Sequence, residues 1–122
     1  MASHNELGKK GEDAAVEFLQ NKGHEILTRN YRYSRAEIDI ISKENGIIIF
    51  SEVKTRSSNQ FGFPEEFVSD KQIRLIKEAA EEFLYEHHLE TEVRFDIVSI
   101  TINQKGEIKI KHIEDAFFHT ND

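Results

Sequence analysis

An α/β domain, one mixed sheet flanked by helices, is predicted by three features of the sequence: two stretches with apolar residues at helical spacing, β-branched and aromatic runs grouped as three and then two, and glycine-bearing turns between those runs. Leu7, Ala14, Ala15, Phe18 and Leu19 form the first helical stripe between Ser3 and Lys22, and Ser3 with Glu6 has the capping-box pattern. Gly23 stops that helix. Three strands follow over His24 to Tyr31, Ala36 to Ser42 and Ile47 to Lys54, and Asn45-Gly46 makes the second and third antiparallel neighbours. Thr55 to Pro64 is polar and glycine-containing, a loop of the kind that often carries function. Ser69 with Gln72 repeats the capping spacing ahead of Ile73, Ile76, Ala80, Phe83, Leu84 and His87, so a second helix runs to about Leu89. Val93 to Ile102 and Glu107 to Ile113 alternate as a closing hairpin. The order is α-β-β-β-α-β-β in one domain over residues 1–122, with no repeat or linker.

Composition narrows the class. A chain of 122 residues and 14.2 kDa has room for one core. Absence of cysteine excludes a disulfide framework, a thiolate metal site and a cysteine nucleophile. There is no apolar run of the roughly 18 residues that a spanning helix needs, and the start of the chain lacks the pattern of a signal peptide, so a cytoplasmic protein without a membrane partner is expected. The net charge of −7 argues against a phosphate-rich partner. Yet acids and bases balance across residues 1–63, and the whole acidic excess lies in residues 64–122.

The third strand is apolar enough to be buried, yet it ends in Glu52 and Lys54. Burying such groups is costly unless they have partners. Alternation along a strand puts Glu52 and Lys54 on one face and Val53 on the other. On the second strand Ala36, Ile38 and Ile40 would share one face, leaving Glu37 and Asp39 on the other, with Asp39 able to face Glu52 across the hairpin. Two carboxylates brought together repel, and the usual remedies are protonation of one or a bound cation. Oxygen-only ligation suits Mg2+ or Mn2+. Lys54 beside them can orient an attacking water and stabilise phosphoryl oxygens, which makes these the parts of a phosphodiester hydrolase. There is no glycine-rich phosphate loop, and the six histidines lack the HExxH spacing.

Glu37-Ile-Asp39, followed after twelve residues by Glu52-Val-Lys54, resembles the PD-(D/E)XK nuclease superfamily. Leu7-Gly-Lys-Lys-Gly-Glu-Asp-Ala-Ala15, Asn30-Tyr-Arg32, Ala36-Glu-Ile-Asp-Ile-Ile41, Ser51-Glu-Val-Lys-Thr-Arg56 and the Lys71 to Ala80 segment together resemble the YraN-like family of small endonuclease-like proteins, over nearly the whole chain. The resemblance implies a restriction-endonuclease-like mixed sheet akin to archaeal Holliday junction resolvases. It implies Asp39 and Glu52 as ligands of Mg2+ or Mn2+, Lys54 as a catalytic residue and Glu12 as an additional catalytic acid. It also implies DNA as substrate, branched or repair intermediates among it, and a homodimer. Helical geometry places Glu12 beside Gly8, Ala15, Val16 and Leu19, at the margin of the core-facing stripe. Two positions depart from the family pattern: Ala36 stands where glycine is usual and Ser51 where an apolar residue is common.

Arg29, Arg32, Arg35 and Arg56, with Tyr31 and Tyr33 interleaved, suit contact with a phosphate backbone and stacking on bases. Lys71 near a helix start, where the dipole disfavours a cation, is a further substrate contact. Phe61 and Phe63 sit in the loop that would close over substrate. Two other readings stay open: a nucleic-acid-binding module that keeps the fold without cutting, and an interaction domain docking a basic partner on the acidic second half, including Glu78, Glu81, Glu82, Glu86, Glu90 and Glu92.

Overall fold

The computed structural model describes residues 4–57 and 68–117. In chain order the elements are α1 (His4–Asn21), β1 (Glu25–Tyr33), β2 (Ala36–Glu44), β3 (Ile47–Ser57), α2 (Asp70–Glu86), β4 (Val93–Ile102) and β5 (Ile108–Ile113). This is the predicted α-β-β-β-α-β-β succession, consistent with a restriction-endonuclease-like fold.

The strands form one sheet in the order β1-β2-β3-β4-β5, antiparallel except where β3 meets β4 in parallel. Parallel neighbours need a crossover, and α2 supplies it. β3 is therefore central, and Ile48, Ile49 and Phe50 are fully buried. Beneath α2, Ile73, Ile76 and Phe83 pack on Ile38, Ile41 and Phe50. Ala15 and Leu19 of α1 pack on the other face, against Ile40, Val98 and Ile100. Each such fully buried aliphatic side chain contributes about 1.5–3 kcal/mol.

Local chemistry fixes the joints. Asn45 and Gly46 both take positive φ, 52° and 79°, as a two-residue hairpin turn matched to strand twist requires. Ser69 caps α2 by accepting from the Gln72 backbone N–H at 3.1 Å. α2 stops at Glu86, three residues short of the predicted end, because His88 enters the left-handed region at φ 54°. β3 runs on to Ser57, so the segment expected to begin a loop at Thr55 is still strand, held by the parallel ladder that pairs Ser57 with Ile102. The rest of that loop, with Phe61, Phe63 and Pro64, and the Ser3 cap lie outside the described residues.

One expectation fails at the place that matters most. Ala36, Ile38 and Ile40 do not share a face: Ala36 and Ile38 pack under α2, while Ile40 packs under α1. The alternation breaks between Ile38 and Ile40, at Asp39. Facing it on β1, Asn30 has φ 55°, and the register pairs Arg29 with Ile40 and Tyr31 with Ile38 on either side of Asn30. A left-handed residue inside a strand rotates the chain about itself, and asparagine tolerates that conformation. β1 and β2 are thus irregular at the same level of the sheet.

Candidate active site

The break in β2 coincides with the point where β2 and β3 part. Their ladder ends at the pair Ile40 and Ser51, which frees the backbone N–H groups beyond it. Two of these turn to side chains: Val53 N–H donates to Asp39 Oδ2 at 2.7 Å, and Asp39 N–H donates to Glu52 Oε2 at 3.2 Å. Each carboxylate therefore closes the gap left by the other strand. One oxygen of each, Oδ1 of Asp39 and Oε1 of Glu52, has no such backbone partner among the described residues.

Two recesses meet at Asp39. On the α2 side a cavity of about 390 Å³ is lined by Arg35, Glu37, Asp39, Glu52, Lys54 and Gln72. Toward α1 a smaller one of about 210 Å³ is lined by Leu7, Gly8, Glu12, Asp39, Val53 and Thr55. Close approach of α1 to β3 creates the second. A Cβ on Gly11 would lie 2.0 Å from Thr55 Oγ1, so only glycine lets the helix sit there, and its neighbour Glu12 is thereby brought beside the sheet.

Electrostatics mark the pair out. Burial pushes Asp39 up to about 6, reinforced by the charges of Glu12 and Glu37 and opposed by the Val53 N–H and by Lys54. It pushes Glu52 further, to about 8, reinforced by the Asp39 carboxylate and opposed by the Asp39 N–H and by Lys54. The direction is the one expected of carboxylates whose charge the protein itself does not neutralise. Perturbed acids of this kind in a cleft are a mark of functional sites.

Glu12 accepts at Oε1 from Arg29 Nε at 3.0 Å and from Asn30 Nδ2 at 3.1 Å, and Arg29 Nη2 reaches Asp13 Oδ1 at 2.7 Å. Among the described residues no three acids and histidines converge closely enough to share one ion. A hard cation would take the carboxylates of Asp39 and Glu52 as its protein donors, with water and substrate oxygens for the rest of its shell. That suits Mg2+ or Mn2+ and not a site that prefers nitrogen or sulfur.

The cations expected at a substrate divide. Arg35, in the turn between β1 and β2, lines the larger recess. Arg32 is 79% exposed and pairs with Glu37 through Nε at 2.8 Å, one residue removed from the recess wall. Arg56 is only 8% exposed and so offers little surface to a polymer. Lys71 is exposed on the first turn of α2 and does not line the recess, whereas the adjacent Gln72 does. Sequence reasoning passed over Gln72, noted only for its capping position, and over Asn30, whose Asn-Tyr-Arg context was the available signal.

A second buried network lies across the sheet. Asp96, with no exposed surface, accepts from Arg94 Nε at 2.8 Å, from the Asp115 N–H at 3.0 Å and from His112 Nε2 at 2.8 Å. Lys22 Nζ lies 2.8 Å from His112 Nδ1, and since an ammonium can only donate, the proton of the neutral ring belongs on Nε2. Burial alone would push Asp96 up, but these donors outweigh it and hold the carboxyl down at about 2. This carboxylate is satisfied within the chain, the opposite of the pair at the recess.

No helix among the described residues is long and apolar enough to cross a membrane. The chain matches the model of the uncharacterised protein family UPF0102 over residues 11–100. It is 54% identical over 119 residues to a UPF0102 protein of Christiangramia forsetii, covering 98% of this chain and 99% of that one. A UPF0102 protein of Persephonella marina is 44% identical over 111 residues, covering 90% and 91%. Among solved structures the chain is similar to SfsA of Pyrococcus furiosus, solved in complex with Ca2+, at TM-score 0.35 and 13% identity over 88% of this chain and 62% of that one, a likeness too slight to bear on the site. With a family match reaching from α1 into β4 and relatives aligned nearly end to end, this chain belongs to UPF0102, the YraN-like group of endonuclease-like proteins of the PD-(D/E)XK kind.

Proposed function

We propose that this protein is a Mg2+- or Mn2+-dependent nuclease hydrolysing phosphodiester bonds in DNA. The observation that carries the reading is the exchange between Asp39 and Glu52, two buried carboxylates cross-laced through backbone N–H groups at the point where β2 and β3 part, with Lys54 on the same recess. Asp39 and Glu52 would hold the cation through the oxygens that lack a backbone partner. Bound there, a cation would supply Lewis-acid polarisation of the phosphoryl group and would make water acidic enough to attack near neutral pH.

The remaining work falls to the chain. The Lys54 ammonium, close enough to lower both carboxyl pKa values, donates to the phosphoryl oxygens and stabilises the charge that develops as the bond to phosphorus breaks. Arg35 and Gln72, which line the same recess as Lys54, would hold the phosphate that flanks the scissile bond. Arg32 and Lys71, both exposed, reach backbone phosphates farther out. Binding without base contacts of this kind reads shape and charge, which suits branched or repair intermediates.

The test is to incubate wild type and Glu52→Ala with labelled branched, single-stranded and duplex DNA in Mn2+, Mg2+ or chelator. Metal-dependent cutting by wild type, abolished in the variant, is expected. Salt-sensitive binding without cutting by either protein would overturn the catalytic reading in favour of a binding module.

A further inference from the structure

Two hydrogen bonds and an ion-pair contact converge on a single oxygen of Glu12. Arg29 Nε and Nη2 each lie 3.0 Å from Oε1, and Asn30 Nδ2 lies 3.1 Å away; Oε2 has no partner among the described residues. These contacts on one oxygen hold the carboxylate in place, and Glu12 lines the recess that it shares with Asp39. Asn30 makes this possible through its backbone. At φ 55° it departs from strand alternation, and two successive side chains of β1, Arg29 and Asn30, both reach α1, opposite the irregularity at Asp39.

We propose that Asn30 is a positioning residue. With Arg29 it locks Glu12 beside Asp39, so that Glu12 strengthens cation binding at Asp39 and Glu52 from outside the inner coordination shell. The inference rests on the metal-dependent reading above and deepens it. An outer role follows from geometry, because Glu12 does not converge with Asp39 and Glu52 on one point, while its negative charge does reach Asp39. Carboxylates at this remove commonly act through a water held by the ion. Asparagine is the suitable residue: it tolerates the left-handed conformation and it is neutral, whereas Arg29 brings a positive charge that opposes a cation.

That neutrality makes Asn30 the clean probe. Asn30→Gly keeps the permitted φ and the net charge while removing only the amide, and Arg29→Lys keeps the charge while losing the fork that bridges Glu12 and Asp13. Mn2+ binding by calorimetry should weaken about tenfold in Asn30→Gly, the usual scale for a lost supporting hydrogen bond, and should weaken also in Arg29→Lys. In a Glu12→Gln background neither change should weaken it further. Unaltered affinity in both variants, or an equal loss in the Glu12→Gln background, overturns the proposal and leaves the metal-dependent reading intact. Wild type that binds no Mn2+ overturns both. Should Asn30→Gly not fold, Arg29→Lys against Glu12→Gln supplies the same comparison.

Discussion

Without metal, the protein should become less stable as pH rises, and Glu52→Gln should remove most of that loss. In the folded chain Asp39 and Glu52 hold their protons up to about 6 and about 8, against ordinary values of 3.8 and 4.5. Between those limits the unfolded chain has released protons that the folded chain keeps, so rising pH favours unfolding. The penalty is absent below about pH 4 and complete above about pH 8. For Glu52 the gap corresponds to on the order of 5 kcal/mol, at 1.36 kcal/mol for each tenfold change, a large part of a typical domain's 5–15 kcal/mol. Part of it is repulsion from Asp39, which glutamine also relieves. Glu52→Gln keeps an acceptor for the Asp39 N–H, and we expect a gain of about 3 kcal/mol near pH 8.5, or about 10 °C in Tm, with little gain near pH 4.5. Scanning calorimetry of both proteins in chelator across that range reads the difference directly, with the relief of Asp39 included in it, and the titrating groups away from the pair cancel between them. A difference that does not grow with pH would refute the reasoning. Added Mn2+ should raise the wild-type Tm most where the penalty is greatest and leave the variant unmoved.

Other consequences follow from particular residues. Asp96 has the opposite sign: its carboxyl is held at about 2, so its contribution is present above about pH 4 and lost as pH falls toward 2. Asp96→Asn should cost about 3 kcal/mol in urea denaturation at neutral pH and flatten the acid limb of the stability profile, because it leaves Arg94 without its buried partner. Gly11→Ala drives a methyl into Thr55 and should cost about 1–3 kcal/mol, partly recovered by Thr55→Ala; equal stability of Gly11→Ala and wild type would show that α1 has room to move. Ser51 buries a hydroxyl with no partner among the described residues, so Ser51→Ala should stabilise by about 1 kcal/mol, and a loss instead would reveal a partner for it.

Much of the fold was legible because its signals are local. The Asn45-Gly46 turn, the Ser69 cap and the periodicity of Ile73, Ile76 and Phe83 each depend on residues within a few positions of one another. Glu52 and Lys54 stood out for the same reason, as ionisable residues ending an apolar run, and Asp39 as a carboxylate between Ile38 and Ile40. What escaped is nonlocal or conformational. Strict alternation was assumed through Asp39, and nothing in its own strand reveals that Asn30, across the ladder, takes a left-handed conformation. Contact between Asp96 and His112 joins two strands, and the lack of HExxH spacing says nothing of such a partner for a lone histidine. Burial of Arg56 depends on how far β3 extends beside β4, which the polar composition after Lys54 disguised.

The central claim is that Asp39 and Glu52 hold the ion while Lys54 acts on the phosphate. It is tested most directly by single-turnover cleavage of labelled branched DNA in Mn2+ by wild type, Asp39→Asn and Lys54→Met, with Mn2+ affinity read on the same samples. The account predicts that Lys54→Met binds Mn2+ at least as tightly as wild type yet cleaves at least about a hundredfold more slowly, and that Asp39→Asn loses both. Cleavage at the wild-type rate by either variant would contradict it.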